Sequence, residues 1–187
     1  MRVLGISGSL RRDSHNTTLL RAARELFEAE GAELVIYEGL KDIPPYDEDD
    51  DDGTPPAAVA DLRNAIAGAD ALFFSTPEYN SSIPGQLKNA IDWLSRPLTE
   101  SPFRNKPVAV VGASTGMFGA VWAQAELRKV LGAVGARVAE GEVPVGHANT
   151  RFDEDGSLND PNLVEEVREV IRALLAEVQP AAAELAA

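Results

Sequence analysis

Residues 3–20 read Val3-Leu4-Gly5-Ile6-Ser7-Gly8-Ser9-Leu10-Arg11-Arg12-Asp13-Ser14-His15-Asn16-Thr17-Thr18-Leu19-Leu20. The apolar run Val3–Ile6 has the continuous character of a strand buried on both faces. Ser7–Thr17 follows as a polar loop carrying four hydroxyl side chains, one asparagine and two arginines. From Asn16 to Ala29 the apolar residues Leu19, Leu20, Ala23, Leu26 and Phe27 recur at helical spacing. Strand, polar loop and amphipathic helix therefore succeed one another within thirty residues.

The same alternation repeats along the chain. Leu34–Tyr37, Ala71–Phe74 and Val108–Val111 read as further buried strands, and Arg137–Ala139 as a short fifth. Helices are expected over Ala57–Ala67, Pro84–Ser95, Gly119–Gly132 and Pro161–Val178. Strands that alternate with helices form a parallel sheet covered on both sides. The expected architecture is a three-layer, doubly wound α/β/α sandwich on a five-stranded parallel sheet of order 2-1-3-4-5. One domain over residues 1–180 is expected, with a flexible tail over 181–187. The acidic run Asp47–Asp52, set between Pro44-Pro45 and Pro55-Pro56, reads as a solvated loop.

Composition sets outer bounds. Of 187 residues, 44% are hydrophobic and 25% charged, which excludes wholesale disorder. No apolar stretch is long enough to cross a membrane, and no signal-peptide pattern opens the chain, so a cytoplasmic protein without a membrane partner is expected. The absence of cysteine rules out disulfides, thiolate metal sites and a cysteine nucleophile, and two histidines leave little for a metal centre. A net charge of −13 argues against a nucleic-acid partner.

In a sheet of this order, ligands bind beyond the carboxyl ends of strands 1 and 3, where the strand order reverses. Three loops converge there. Ser7–Thr17 offers hydroxyls, helix-start N–H groups and Arg11, which together suit one phosphate; a plain capping turn built on Ser14 or Asn16 is the alternative. Neither G-x-x-x-x-G-K-[ST] nor G-x-G-x-x-G is present. Ser75–Gly85 carries Tyr79 and Asn80 between two prolines, suited either to a flat heterocycle or to a turn whose tyrosine packs on the core. Gly112–Gly119 holds three glycines and two hydroxyls, allowing the backbone close to a ligand.

The chain resembles the NADPH-dependent FMN reductase family, a flavodoxin-like group that includes quinone, chromate and azo-dye reductases. The resemblance lies in Gly5-x-Ser7-Gly8-Ser9-Leu10-Arg11 with Ser14 and Asn16, in Thr76-Pro77-Glu78-Tyr79-Asn80, and in Pro84-Gly85-x-Leu87-Lys88-Asn89-Ala90-Ile91-Asp92-Trp93. It implies that Ser9, Arg11, Ser14, Asn16 and Thr17 hold the FMN phosphate. It implies that Pro77, Glu78, Tyr79 and Asn80 hold the ring and ribityl region, and that Ser114, Thr115 and Gly116 close the ring pocket. Ser81 departs from the family where several relatives carry a second aromatic, and His15 where many have a larger apolar residue.

The implied activity is ping-pong transfer of hydride from NADPH or NADH through FMN to a quinone-like or other small electron acceptor. A flavodoxin-type electron carrier without substrate turnover is the alternative. A phospho-receiver domain is excluded, because Ser7-Gly8-Ser9 and Ser75-Thr76 stand where its aspartates belong. Trp93 and Trp122 either wedge into the core or mark a two-fold interface; the second is expected, giving a homodimer or a homotetramer.

Overall fold

The computed structural model describes residues 1–51 and 53–184, with side chains up to residue 178. Its strands are β1 (Arg2–Ser7), β2 (Glu33–Tyr37), β3 (Ala71–Thr76), β4 (Pro107–Ala113), β5 (Arg137–Val138) and β6 (Pro144–Val145). Its helices are α1 (His15–Ala29), α2 (Ala57–Ala67), α3 (Gly85–Leu94), α4 (Val121–Ala133) and α5 (Pro161–Glu184). The parallel sheet runs β2-β1-β3-β4-β5, as expected.

Strand side chains alternate between two cores, as the two-residue period of a strand requires. Leu4, Ile6, Leu72, Phe74, Val108 and Val110 meet α2, α3 and α4. Val3, Ala71, Phe73, Ala109 and Val111 meet α1 and α5. On that second face Phe27 of α1 meets Phe73 of β3 edge-on at 5.2 Å. Truncating either ring to alanine should cost about 3–5 kcal/mol, since both are fully buried. The flavodoxin-like arrangement thus follows from buried strands that need a helix layer on each side.

Three expectations are corrected. The sheet has a sixth strand: β5 pairs with Pro107 and Val108, and β6 resumes the same edge of β4 opposite Gly112 and Ala113. Glu140-Gly141-Glu142 interrupts the edge, with Gly141 at φ +95°, and a two-residue strand opening on proline leaves no hydrophobic pattern to read. Secondly, α5 continues past its expected end at Val178 to Glu184, and residues 185–187 of the expected tail lie outside the described residues.

Thirdly, Trp93 belongs to the core rather than to an interface, being only 1% exposed. The β2–α2 excursion folds across α3 and covers it. Trp93 Nε1 donates to the Pro44 carbonyl at 2.9 Å, and Tyr46 packs edge-on against the indole at 4.9 Å. Asn89 and Gln86 hold the same excursion through the carbonyls of Pro44, Leu40 and Ile43. Within the acidic run, Asp47–Asp50 are exposed as expected, and Asp52 lies outside the described residues. Among the described residues, no helix is long and apolar enough to cross a membrane.

Candidate functional site

Gly8 lets the start of the β1–α1 loop lie close against neighbouring side chains. A Cβ there would meet Leu87 at 3.0 Å and Pro77 at 3.2 Å. Ser14 then takes the N-cap position of α1. Its extended backbone lets Oγ accept from the N–H groups of Asn16 at 3.2 Å and Thr17 at 3.4 Å. Both readings of this loop hold together: Ser14 caps the helix, and its own O–H is left to donate. The N–H groups of Leu10, Arg12, Asp13, Ser14 and His15 have no partner among the described residues. An anion placed there would satisfy donors that the fold leaves open. The guanidinium of Arg11 donates to the Asp13 carbonyl, which holds the exposed side chain over the loop.

Asn16 has a structural part besides its place in the cleft lining. Buried to 3% exposure, it clamps three elements. Its Nδ2 donates to the Ala113 carbonyl, and its Oδ1 accepts from Ser75 Oγ and from the Ala113 N–H, each at 2.9 Å. The start of α1 is thereby tied to the carboxyl ends of β3 and β4, with one amide hydrogen left over. Thr17 is likewise committed, its Oγ1 donating to Ser7 Oγ at 3.0 Å.

The β3–α3 loop closes a tight turn. Tyr79 and Ser82 exchange backbone hydrogen bonds at 3.0 and 3.2 Å, with Asn80 at φ +54° and Ser81 at φ +60° between them. Two successive positive-φ residues mark a type I′ turn. Asparagine tolerates that conformation more readily than serine. The turn carries Tyr79 outward at 52% exposure, so its ring is not a core element. Glu78 reaches across to α4, whose N-cap residue Ala120 has no side chain to offer. Glu78 Oε2 accepts from the N–H groups of Trp122 at 3.1 Å and Ala123 at 3.2 Å. A carboxylate at a helix N-terminus is favourable both as hydrogen-bond acceptor and as charge.

The β4–α4 loop rests on β6. Gly119 has φ +56°, and a Cβ on it would lie 2.3 Å from the Pro144 backbone. The carbonyls of Gly116 and Ser114 accept from the N–H groups of His147 at 3.1 Å and Ala148 at 3.0 Å. Fully buried Gln124 braces the loop from beneath through the Gly119 carbonyl and the Val143 N–H.

These three loops enclose a cleft of about 300 Å³. Of the sequence-predicted residues, Ser9, Arg11, Ser14, Asn16, Pro77, Glu78, Tyr79, Ser114 and Thr115 line it. Thr17, Asn80 and Gly116 do not: Thr17 faces a neighbouring cavity, Asn80 sits at the exposed turn tip, and the Gly116 N–H is taken by Ser114 Oγ. His15 and Ala113 line the cleft without having been foreseen, though His15 directly follows the cap. Burial, and then the charge of Arg11, push the His15 imidazole below its usual range. Its ring stacks on Phe152 at 6.2 Å, with an interplanar angle of 3°. Among the described residues, no cluster of His, Asp or Glu could hold a metal ion.

A doubly wound sheet with an anion cradle after β1 and an aromatic-flanked slot beside it defines a flavodoxin-like flavoprotein. Residues 1–150 match the NADPH-dependent FMN reductase family, and the chain belongs to it. It is 43% identical over 175 residues to an NAD(P)H-dependent FMN reductase of Pseudomonas aeruginosa, covering 93% of each chain. It is 40% identical over 156 residues to a quinone reductase of Pseudomonas putida, covering 83% of each. Among solved structures, FerB, a flavoenzyme NAD(P)H:(acceptor) oxidoreductase from Paracoccus denitrificans, superimposes with a TM-score of 0.83 at 33% identity. That match covers 96% of this chain and 97% of FerB. The protein is accordingly an oxidoreductase enzyme that uses FMN and an NAD(P)H donor, and the electron-carrier alternative is set aside.

Proposed function

We propose that the chain passes reducing equivalents from NAD(P)H to quinones through FMN held in the cleft between the β1–α1, β3–α3 and β4–α4 loops. One observation carries the assignment of the site: the capping hydroxyl of Ser14, the Arg11 side chain and the open N–H groups of Ser14 and His15 belong to residues lining a cleft that the exposed Tyr79 also lines. Ser9, Ser14, Arg11 and the open N–H groups of the first loop would bind the phosphate. Pro77, Tyr79, Ser114 and Thr115 would wall the ring. Asn16 and Glu78 would fix the spacing of those walls, through β4 and α4 respectively. Bound there, FMN supplies a ring that can take up hydride from one partner and give it to another. Tyr79 leaves one side of the slot open to solvent, where donor and acceptor can enter in turn. Relatives named for reduction of quinones and of 2-hydroxy-1,4-benzoquinone support that acceptor class.

Beside the cleft, Met117, Phe118 and Trp122 are 64%, 54% and 49% exposed, with Phe118 edge-on to Trp122 at 5.0 Å. Such an apolar patch suits a homodimer seated next to the flavin. Light scattering should give twice the chain mass, and Trp122→Arg should return the monomer.

The test of the activity is direct. Purified protein loaded with FMN should retain its yellow colour through dialysis, lose it on anaerobic titration with NADPH, and regain it on adding a benzoquinone. A flavin absorbance unmoved by both NADPH and NADH would overturn the proposed activity.

A further inference from the structure

A second cavity lies on the outer side of the β1–α1 loop, between that loop, α1 and the segment after β2. It measures about 510 Å³ and shares Ser9 and Arg11 with the flavin cleft. Its charge is opposite to that of the molecule. The chain carries 30 acidic and 17 basic residues, yet Arg11, Arg12, Arg21, Arg24 and Lys41 line this one cavity against a single acid, Glu38.

Four of these five cations are also unpaired. The side chains of Arg12, Arg21, Arg24 and Lys41 have no hydrogen-bond or ion-pair partner among the described residues. Arg21 and Arg24 have Glu25 and Glu28 one turn further along and pair with neither. Elsewhere several of the long cations are engaged, Lys88 with Asp92, Arg137 with Glu177, Arg151 with Asp160 and Arg172 with Glu30. A protein this acidic has carboxylates to spare, so a cavity of unpaired cations is a place where a multiply charged anion gains most.

Helical spacing adds direction. Thr17, Arg21 and Arg24 follow at i, i+4 and i+7, so they form one stripe down α1. Seven residues at 1.5 Å each span about 10 Å, leading away from the phosphate cradle at the helix start. The ligand this suits has several phosphates and enters from the flavin cleft.

We infer that this cavity takes the adenylyl half of the nicotinamide donor, with Arg21, Arg24 and Lys41 recognising the 2′-phosphate that distinguishes NADPH from NADH. The inference rests on the NAD(P)H-oxidising activity proposed above and adds a donor preference, set by residues outside the flavin cleft. Glu38 stands at the end of β2, where it would face the same ribose, and its charge is outweighed by the surrounding cations.

The test separates this proposal from the activity it rests on. Calorimetry on the FMN-loaded protein with 2′,5′-ADP and 5′-AMP reads the 2′-phosphate directly and needs no turnover. The 2′-phosphate should tighten binding at least tenfold, and the gain should vanish in Arg21→Gln/Arg24→Gln. In steady state, kcat/KM for NADPH should fall about tenfold or more in that variant and in Lys41→Gln, while kcat/KM for NADH and FMN uptake stay unchanged. Raised salt should weaken NADPH more than NADH. Equal binding of the two nucleotides by the unaltered protein would overturn the inference, as would a preference that survives the double substitution. So would a loss of FMN uptake in that variant, which would assign the cavity to the flavin instead.

Discussion

In the β1–α1 loop most hydrogen bonds close within the loop itself: Ser14 with Asn16 and Thr17, Ser9 with Arg11, Thr17 with Ser7. The opposite wall of the cleft is held from far away. Glu78 reaches the start of α4 across 44 and 45 positions, and the glycine loop leans on the backbone of Pro144 and His147. The end proposed for the phosphate is therefore a local motif, and the end proposed for the ring is a product of tertiary packing. Substitutions at the two ends should separate in their effect on FMN, which has the phosphate, and riboflavin, which lacks it.

The largest effect is expected where the two ends are joined. Asn16→Ala would leave Ser75 Oγ and both backbone groups of Ala113 without partners in a buried site. Each orphaned group costs about 1–3 kcal/mol, so a total near 3 kcal/mol is a conservative expectation. For a chain of this size that lowers Tm by about 6–12 °C, measurable by calorimetry on the flavin-free protein. FMN and riboflavin should both bind more weakly. A Tm within about 2 °C of the unaltered protein would show that the clamp is not what joins α1 to β3 and β4.

Arg11→Ala should break the phosphate end alone. The side chain is exposed and holds only the Asp13 carbonyl, so the flavin-free protein should melt almost unchanged. A charge-assisted phosphate contact is worth about 1.5–3 kcal/mol, so FMN affinity should drop about 10- to 100-fold by fluorescence titration. Riboflavin affinity should not move. Equal losses for the two flavins would place Arg11 at the ring instead.

This division also decides what could be read from sequence. Strand order, the two-sided burial of β1, β3 and β4, and the cap at Ser14 depend on short-range pattern, and each was legible. So was the set of loops that meet, because it follows from strand order alone. What escaped was long-range. The sequence does not reveal that Asn16 also ties down Ala113, which stands 97 positions away with an N–H to be satisfied. Trp93 was expected at a two-fold interface because nothing local shows the β2–α2 excursion folding over α3. The cation cavity gathers residues from three separated segments, so no run of basic sequence announces it.

Glu78→Gln probes the ring end with a smaller perturbation. The amide keeps an acceptor for α4 but loses the charge that suits a helix N-terminus, an effect of about 0.3–1 kcal/mol. FMN and riboflavin should weaken alike, by about two- to fivefold, through displacement of the loop that carries Tyr79. A change confined to FMN would mean that Glu78 acts on the phosphate, contrary to its place in the structure.

The smallest effect lies at His15, and its sign is fixed by the direction of its shift. Burial and Arg11 hold the folded-state pKa below the ordinary value of 6.5, so the unfolded chain takes up the proton first as pH falls. The unfolded state then binds more protons, and stability declines below about pH 6.5, levelling off once the folded-state pKa is passed. Above that window the group contributes no pH dependence. His15 lines the cleft proposed for the flavin, so an anionic phosphate bound nearby would raise its pKa and shrink the decline. Melting curves between pH 5 and 7 should therefore be steeper in pH for the flavin-free protein than for the FMN-loaded one, and His15→Gln should reduce that difference. Identical pH slopes with and without FMN would mean that the phosphate lies beyond the electrostatic reach of His15, and that Arg11 alone answers to it at that end.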